Sequence, residues 1–204
     1  KDHGRTWEQD RVLEYGVYSE NCNLAPLVES FFFRTPKSGR LLAISRVVWS
    51  RLTEQQIQQI PHAVPQGNNA DIDSFTGMLL MESKDEGLSW YPVRGLGYLC
   101  MMYPSVVFLN DEDFLLTYTL RSNTTDCPYP HMGMQAVLGK ELPDGSFALD
   151  FEHDIIVIDD RTPDYSENGG SFGTTSLLPD GSFITPYSYR INVPGLDEKL
   201  REST

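Results

Sequence analysis

The sequence predicts an all-β fold built from four-stranded units that repeat along the chain. Three segments share an apolar run, a turn rich in Pro, Gly, Asn or Asp, a second apolar run and a final arginine: FFFRTPKSGRLLAISR (31–46), PSVVFLNDEDFLLTYTLR (104–121) and GTTSLLPDGSFITPYSYR (173–190). Short apolar runs punctuated by turn residues are typical of antiparallel strands. Further strand pairs separate these segments, at a spacing of roughly 70 residues. Such long-period self-similarity indicates a β-propeller.

The elements of the two complete units follow in order. The first unit, about 26–95, contains the hairpin 31–46, a short helix at LTEQQIQQI (52–60) and strands at 75–82 and 90–95. Thr53 and Gln56 are spaced like a capping box at the start of that helix. The second unit, about 98–160, contains the hairpin 104–121 and strands at 134–142 and 146–160.

Incomplete units flank the complete ones. Residues 1–20 resemble the second half of a blade, and residues 169–204 resemble the start of another. The chain therefore amounts to about three blades, whereas closed propellers have four to eight. We expect residues 1–204 to form a single partial propeller domain, completed by a missing segment of a longer protein or by a second chain.

Strand order predicts where a binding site would lie. In a four-stranded up-and-down sheet, the 1–2 and 3–4 turns lie at one end of the strands and the 2–3 and 4–1 loops at the other. We call these ends the turn face and the loop face. The short turns, such as TPKSG (35–39) and LPDG (178–181), belong to the turn face, and the long insertions belong to the loop face. Elaborated loops on a rigid scaffold are common binding sites, so we expect function on the loop face.

Charge and composition exclude several classes of partner. The chain has 16 Lys and Arg against 29 Asp and Glu, a formal charge of -13. A field of that sign repels nucleic acid and anionic membranes, so neither is expected as a partner. The three cysteines are far apart and lack metal-ligand spacing, so we expect no metal and no cofactor. We expect the protein to be secreted or periplasmic, with any leader peptide removed before residue 1.

One short motif occurs twice. SKDEGLSW (83–90) and KDHGRTW (1–7) share Lys, Asp, Gly, a hydroxyl residue and Trp at the same spacing. We expect Asp85 to accept hydrogen bonds from the turn, Gly87 to adopt a positive φ, and Trp90 to bury its ring. A calcium loop is the alternative, but ligand oxygens at the required spacing are too few. The motif therefore predicts scaffold on the turn face.

These residues resemble the Asp-box (BNR) repeats of the sialidase superfamily, whose fold is a six-bladed β-propeller. FRTPKSGRLLAISR, MYPSVVFLNDEDFLLTYTLR and GGSFGTTSLLPDGSFITPYSYR resemble the starts of blades in that family. The resemblance spans nearly the whole chain. It implies a sialidase-like propeller, and a glycan or other carbohydrate as the ligand.

The resemblance also implies candidate site residues. Sialidases bind an anionic sugar through three arginines and use a tyrosine nucleophile assisted by a glutamate, which avoids repulsion between a carboxylate nucleophile and the substrate. By position, Glu29 resembles the assisting glutamate, Tyr103 the nucleophile and Arg46 a carboxylate-binding arginine. The remaining candidates for substrate binding come from the third strand pair and the repeated arginines: Arg121, Arg190 and Tyr187. The alternatives are arginines that are solvated at strand ends or paired to the chain's many carboxylates, and a tyrosine used for packing.

Two functions remain open from the sequence. The first is a sialidase-like glycoside hydrolase, or a relative acting on another glycan, with its site on the loop face. The second is a non-catalytic propeller that binds a glycan or a protein through the same face. Two observations favour the second function: sialidases place a further blade between the glutamate and the tyrosine, and the repeated arginines align imperfectly with one another.

Overall fold

Antiparallel sheets form the framework of the molecule. The computed structural model describes residues 28–48, 54–58, 76–97, 101–120, 133–159 and 174–187. The first sheet contains four strands in the order of the chain: β1 (Val28–Arg34), β2 (Leu41–Val48), β3 (Thr76–Ser83) and β4 (Tyr91–Leu96). The predicted all-β fold and the up-and-down order of this sheet are confirmed.

A single α-helical turn lies between β2 and β3 among the described residues. This helix, α1, spans Glu54–Gln58, inside the predicted range 52–60. Thr53, the predicted capping residue, lies outside the described residues. In the described part of the chain, no helix is long and apolar enough to cross a membrane.

The second sheet repeats the first with one change in its last strand. Its strands are β5 (Met101–Phe108), β6 (Asp113–Leu120), β7 (Gly133–Glu141), β8 (Phe147–Leu149) and β9 (Ile155–Asp159). Both β8 and β9 pair with β7. The prediction of one continuous strand over 146–160 is therefore wrong.

The interruption between β8 and β9 packs an aromatic ring against the core. A short 3-10 helix, Phe151–His153, separates the two strands. The Asp150 amide still donates to the Leu138 carbonyl at 3.0 Å, after which the chain leaves the sheet. The Phe151 ring packs against that of Tyr118, with centroids 6.3 Å apart. By leaving the sheet here, the chain loses a few strand hydrogen bonds, and burial of the Phe151 ring compensates for that loss.

The third sheet consists of one described hairpin, β10 (Ser176–Leu177) and β11 (Phe183–Ile184). Thr175, just before β10, fixes its position against the second sheet. The Thr175 amide donates to Ser105 Oγ at 2.9 Å, and the hydroxyls of Thr175 and Thr117 lie 2.7 Å apart. These buried hydroxyl groups form a hydrogen-bond network that joins the third hairpin to the second sheet.

The main apolar core lies between the first and second sheets. Both sheets contribute buried side chains: Leu42, Ile44, Met78, Leu80 and Leu96 from the first, and Met101, Val106, Phe114, Leu116, Tyr118, Leu120, Val137 and Phe147 from the second. Burying one such side chain contributes about 1.5–3 kcal/mol. The two sheets are held face to face by this burial.

Polar contacts join the same two sheets at the turn face. Arg40 binds both carboxylate oxygens of Glu82, at 2.9 and 3.2 Å, and donates from Nη1 to the Gly145 carbonyl of the second sheet. Ser38 Oγ donates to the buried carboxylate of Glu141 at 2.5 Å. These hydrogen bonds hold the turn-face ends of the two sheets together, as expected for a scaffold.

Candidate functional site

The β3–β4 turn that carries SKDEGLSW is a closed hydrogen-bond network. Asp85 Oδ1 accepts from the Ser89 amide and from Ser83 Oγ, both at 2.8 Å. Ser83 Oγ in turn accepts from the Gly87 amide at 2.8 Å, and Gly87 has φ +89°. These contacts satisfy the turn's own polar groups, so the predicted structural role of the motif is confirmed. Its copy at 1–7 lies outside the described residues.

Trp90 anchors this turn to the first sheet. Its side chain is buried, and its ring meets that of Phe32 edge to face with centroids 5.2 Å apart. Ser83 pairs with Leu41, and Arg34 forms an ion pair with Glu86 at 2.7 Å. The motif therefore lies beside the β1–β2 turn, on the turn face, as predicted.

Glu29 and Arg46 meet at the opposite end of the first sheet. Arg46 Nη1 donates to Glu29 Oε1 at 2.9 Å. The Arg46 side chain is 11% exposed and the Glu29 side chain 28%, so the arginine is largely shielded from water while the glutamate stays open to it. The structure thus brings together the predicted glutamate and arginine on the loop face.

A β-bulge positions Glu29. Val28 pairs with Arg46 and Phe31 pairs with Ile44, so β1 has one residue more than β2 over this stretch. Glu29 lies in the bulge with φ +55°, in the left-handed region. For a residue other than glycine this conformation costs about 1–2 kcal/mol. Such outliers concentrate at functional sites, where the surrounding structure holds them.

Tyr103 occupies the corresponding bulge of the second sheet. Met102 pairs with Thr119 and Ser105 pairs with Thr117, the same offset as in the first sheet. Tyr103 has φ +53°, and its side chain is half-buried. Because β1 and β5 pack beside each other, the two bulges belong to neighbouring strands of the same face.

Of the other predicted site residues, the structure describes only one. Arg121 and Arg190 lie outside the described residues. Tyr187 is half-buried and closes the described part of the third hairpin. By strand pairing, the second-sheet counterpart of Arg46 is Thr119 rather than an arginine.

A buried polar pair near the loop face escaped the sequence analysis. Tyr118 OH donates to Gln135 Oε1 at 3.2 Å, and both side chains are fully buried. Gln135 lies within the otherwise apolar run MQAVL (134–138). A polar residue inside such a run was the available signal, because burying a polar side chain is costly unless it is hydrogen-bonded.

Several carboxylates in the described turns of the turn face have lowered pKa values. Hydrogen bonds from Ser89 lower the pKa of Asp85, and a hydrogen bond from Arg40 lowers the pKa of Glu82. Serines two residues further along lower the pKa values of Asp144 and Asp180 in the same way. These carboxylates are held ionised by turn structure, which is a scaffold role.

The loop face carries polar side chains from both of the larger sheets. It combines a carboxylate, a guanidinium and a phenol at the ends of adjacent strands. A groove of about 380 Å³ lies elsewhere, on the second sheet between Leu109, Leu138 and Ala148. Among the described residues, no group of three or more His, Cys, Asp or Glu is arranged to hold a metal ion. Comparison with family models, with curated proteins and with solved structures finds no match to this chain.

Proposed function

We propose that the chain is part of a sialidase-like β-propeller that binds a glycan at the loop face and hydrolyses a glycosidic bond there. The observation that carries this proposal is the pair of identical bulges. They present Glu29, bound to Arg46, and Tyr103 on adjacent strands.

The ion pair supplies the chemistry that a tyrosine nucleophile needs. A carboxylate at Glu29 can serve as the general base that accepts the proton of a phenol nucleophile, and the contact with Arg46 fixes its position. A guanidinium also carries five N–H donors, so one arginine can bind a protein carboxylate and a ligand carboxylate together. A neutral phenol approaches an anionic sugar without charge repulsion.

The rigid scaffold supports the same proposal. The turn face is cross-linked by Arg40 and Ser38, and the apolar core fixes the two sheets against each other. A site at the far end of such strands keeps its geometry, because its residues belong to strands rather than to loops.

Glycan turnover by variants tests the proposal. We expect the purified protein to release sugar from sialylated or uronic-acid glycans. Glu29→Gln removes the proton acceptor and should lower kcat by about 10²–10⁴-fold with a smaller effect on KM. Glu112→Gln, on the turn face, is the control and should leave turnover unchanged. Absence of turnover, together with unchanged glycan binding by Glu29→Gln, would contradict the proposal.

A non-catalytic propeller that binds a glycan or a protein is the second candidate. The direct 2.9 Å contact between Glu29 and Arg46 favours it, because the pair is already neutralised within the protein. In that case the ligand is retained unchanged, and Arg46→Ala weakens its affinity without any rate to alter. Glycan-array retention measured beside sugar release separates the two functions.

A further inference from the structure

The bulge that carries Glu29 lacks the residue that normally forms a bulge of this kind. Glu29 and Ser30 on β1 both lie opposite a single residue of β2, Ser45. In bulges whose first residue has a left-handed backbone, that residue is normally glycine. Glu29 has φ +55°, so contacts with the rest of the sheet must hold it in this conformation.

A hydrogen bond between two serines crosses the bulge. The hydroxyl oxygens of Ser30 and Ser45 lie 2.7 Å apart. Ser45 is 2% exposed and Ser30 is half-buried, so water competes little for this bond. Removal of one hydroxyl would leave the other buried without this partner, which is costly. The serine pair therefore ties the bulged strand to its neighbour.

The serine pair and the ion pair hold the bulge from opposite faces of the sheet. Ser45 and Arg46 are consecutive residues of a strand that pairs regularly with β3, so their side chains point to opposite faces. Ser30 contacts the first of these two residues, and Glu29 contacts the second at 2.9 Å. The Glu29 carboxylate is therefore oriented by a contact of its neighbour on one face and by its own contact on the other.

The second sheet restricts its own bulge by a different means. Tyr103, with φ +53°, is followed by Pro104, which is buried. The pyrrolidine ring fixes the backbone φ of that residue, and proline suits a bulge because it has no N–H to donate. In both sheets, the residue after the left-handed one restricts the bulge. It does so through a hydrogen bond in the first sheet and through a ring in the second.

We propose that Ser30 is a positioning residue for Glu29, because its hydrogen bond to Ser45 keeps the bulge in the conformation that places the Glu29 carboxylate against Arg46. This role rests on the proposed function, since Ser30 acts on turnover only through the proton acceptor. Without the bond, the bulge relaxes toward an extended backbone and the carboxylate leaves its place. Ser30 therefore affects kcat more than KM.

Two substitutions of nearly the same shape separate the hydrogen bond from the size of the side chain. Ser30→Val removes the hydroxyl, whereas Ser30→Thr keeps it on a side chain branched in the same way. Ser30→Val should lower kcat by about tenfold and change KM by less than about twofold, while Ser30→Thr should stay within about threefold of the parent protein. Equal loss of turnover in both variants, or full turnover by Ser30→Val, would overturn the positioning role.

Backbone NMR measures the same role without any turnover. The coupling between the amide and Cα protons of Glu29, together with its Cα and Cβ chemical shifts, reports whether φ is positive. The left-handed signature should be present in the parent protein and in Ser30→Thr, and lost in Ser30→Val. Circular dichroism checks that both variants keep their strand content. A left-handed Glu29 retained in Ser30→Val overturns the positioning role, whereas absence of turnover by the parent protein contradicts the proposed function and leaves the backbone measurement to decide the role of Ser30.

Discussion

Ser83 and Asp85 each accept a hydrogen bond from a different backbone amide of the β3–β4 turn. Ser83 Oγ accepts from the Gly87 amide and donates to Asp85, while Asp85 accepts from the amide of Ser89. Ser83 is buried, so water does not replace its bonds when the side chain is removed. The turn therefore depends on this serine more than its small size suggests.

Replacement of Ser83 tests that dependence. Ser83→Ala leaves the Gly87 amide without its acceptor and should lower the free energy of unfolding by about 1–3 kcal/mol. Urea denaturation followed by tryptophan fluorescence measures it, since Trp90 packs beside the turn. Lys84→Ala, at an exposed neighbour, should change stability by less than about 0.5 kcal/mol. Equal stability of the two variants would show that the network is not stabilising.

The sequence could predict the roles of residues whose partners lie only a few positions away in the chain. Asp85, Gly87 and Trp90 act within a few residues of one another, so their spacing already describes the turn. The bulges at Glu29 and Tyr103 were not predicted, because neither position has glycine, the residue that normally signals a positive φ. A family resemblance singled out Glu29 and Arg46 as candidates, but their contact was not predicted, since strand register decides it.

At the scale of the strand, β7 shows how one glycine sets the packing of an aromatic ring. A Cβ at Gly139 would lie far inside the van der Waals distance of the Phe114 ring and 2.9 Å from Leu149 Cδ2. The Phe114 ring cannot move away easily, because Phe108 and Phe147 pack against it. Gly139 therefore makes room for an aromatic cluster in the core.

A paired substitution tests this packing. Gly139→Ala overfills the site and should lower the free energy of unfolding by about 1–3 kcal/mol. Adding Phe114→Leu, a smaller side chain, should make the effect of Gly139→Ala smaller than it is in the parent. The double-mutant cycle is measured by urea denaturation. Strictly additive effects would contradict the steric explanation.

The break between β8 and β9 is a feature of the strands that the sequence pattern could not predict. The segment 146–160 is rich in strand-forming residues and so resembles one strand. The interruption is stabilised by Phe151 packing on Tyr118, a contact between residues 33 positions apart in the sequence numbering. Sequence pattern describes which faces are apolar, whereas the partner across the core decides where a strand ends.

On the whole molecule, the two ends of the strands have different electrostatic roles. Within the part of the chain that the structure describes, six carboxylates on the turn face have lowered pKa values: Glu82, Asp85, Glu112, Asp113, Asp144 and Asp180. Lys37 lowers the pKa of Glu112, and Glu112 raises that of Lys140. The turn face thus uses ionised groups for stability, while the loop face presents Glu29, Arg46 and Tyr103.

The charge distribution predicts how stability depends on pH. A carboxylate whose pKa is lowered by folding stabilises the folded state above its unfolded pKa, about 4, and loses that stabilisation as pH falls through the folded value. Stability should therefore decrease from about pH 5 to pH 3, although the formal charge of -13 is being neutralised over the same range. Urea midpoints at each pH measure it.

A triple variant separates the turn carboxylates from the net charge. Replacing Asp85, Asp144 and Asp180 by asparagine removes groups that titrate in hydrogen-bonded turns. The variant should be less stable at pH 7 and should lose less stability between pH 5 and pH 3. Repeating the series at high salt screens long-range repulsion but leaves the direct hydrogen bonds in place. A rise in stability on acidification would instead show that repulsion within this acidic chain outweighs the turn contacts, because only relief of repulsion acts in that direction.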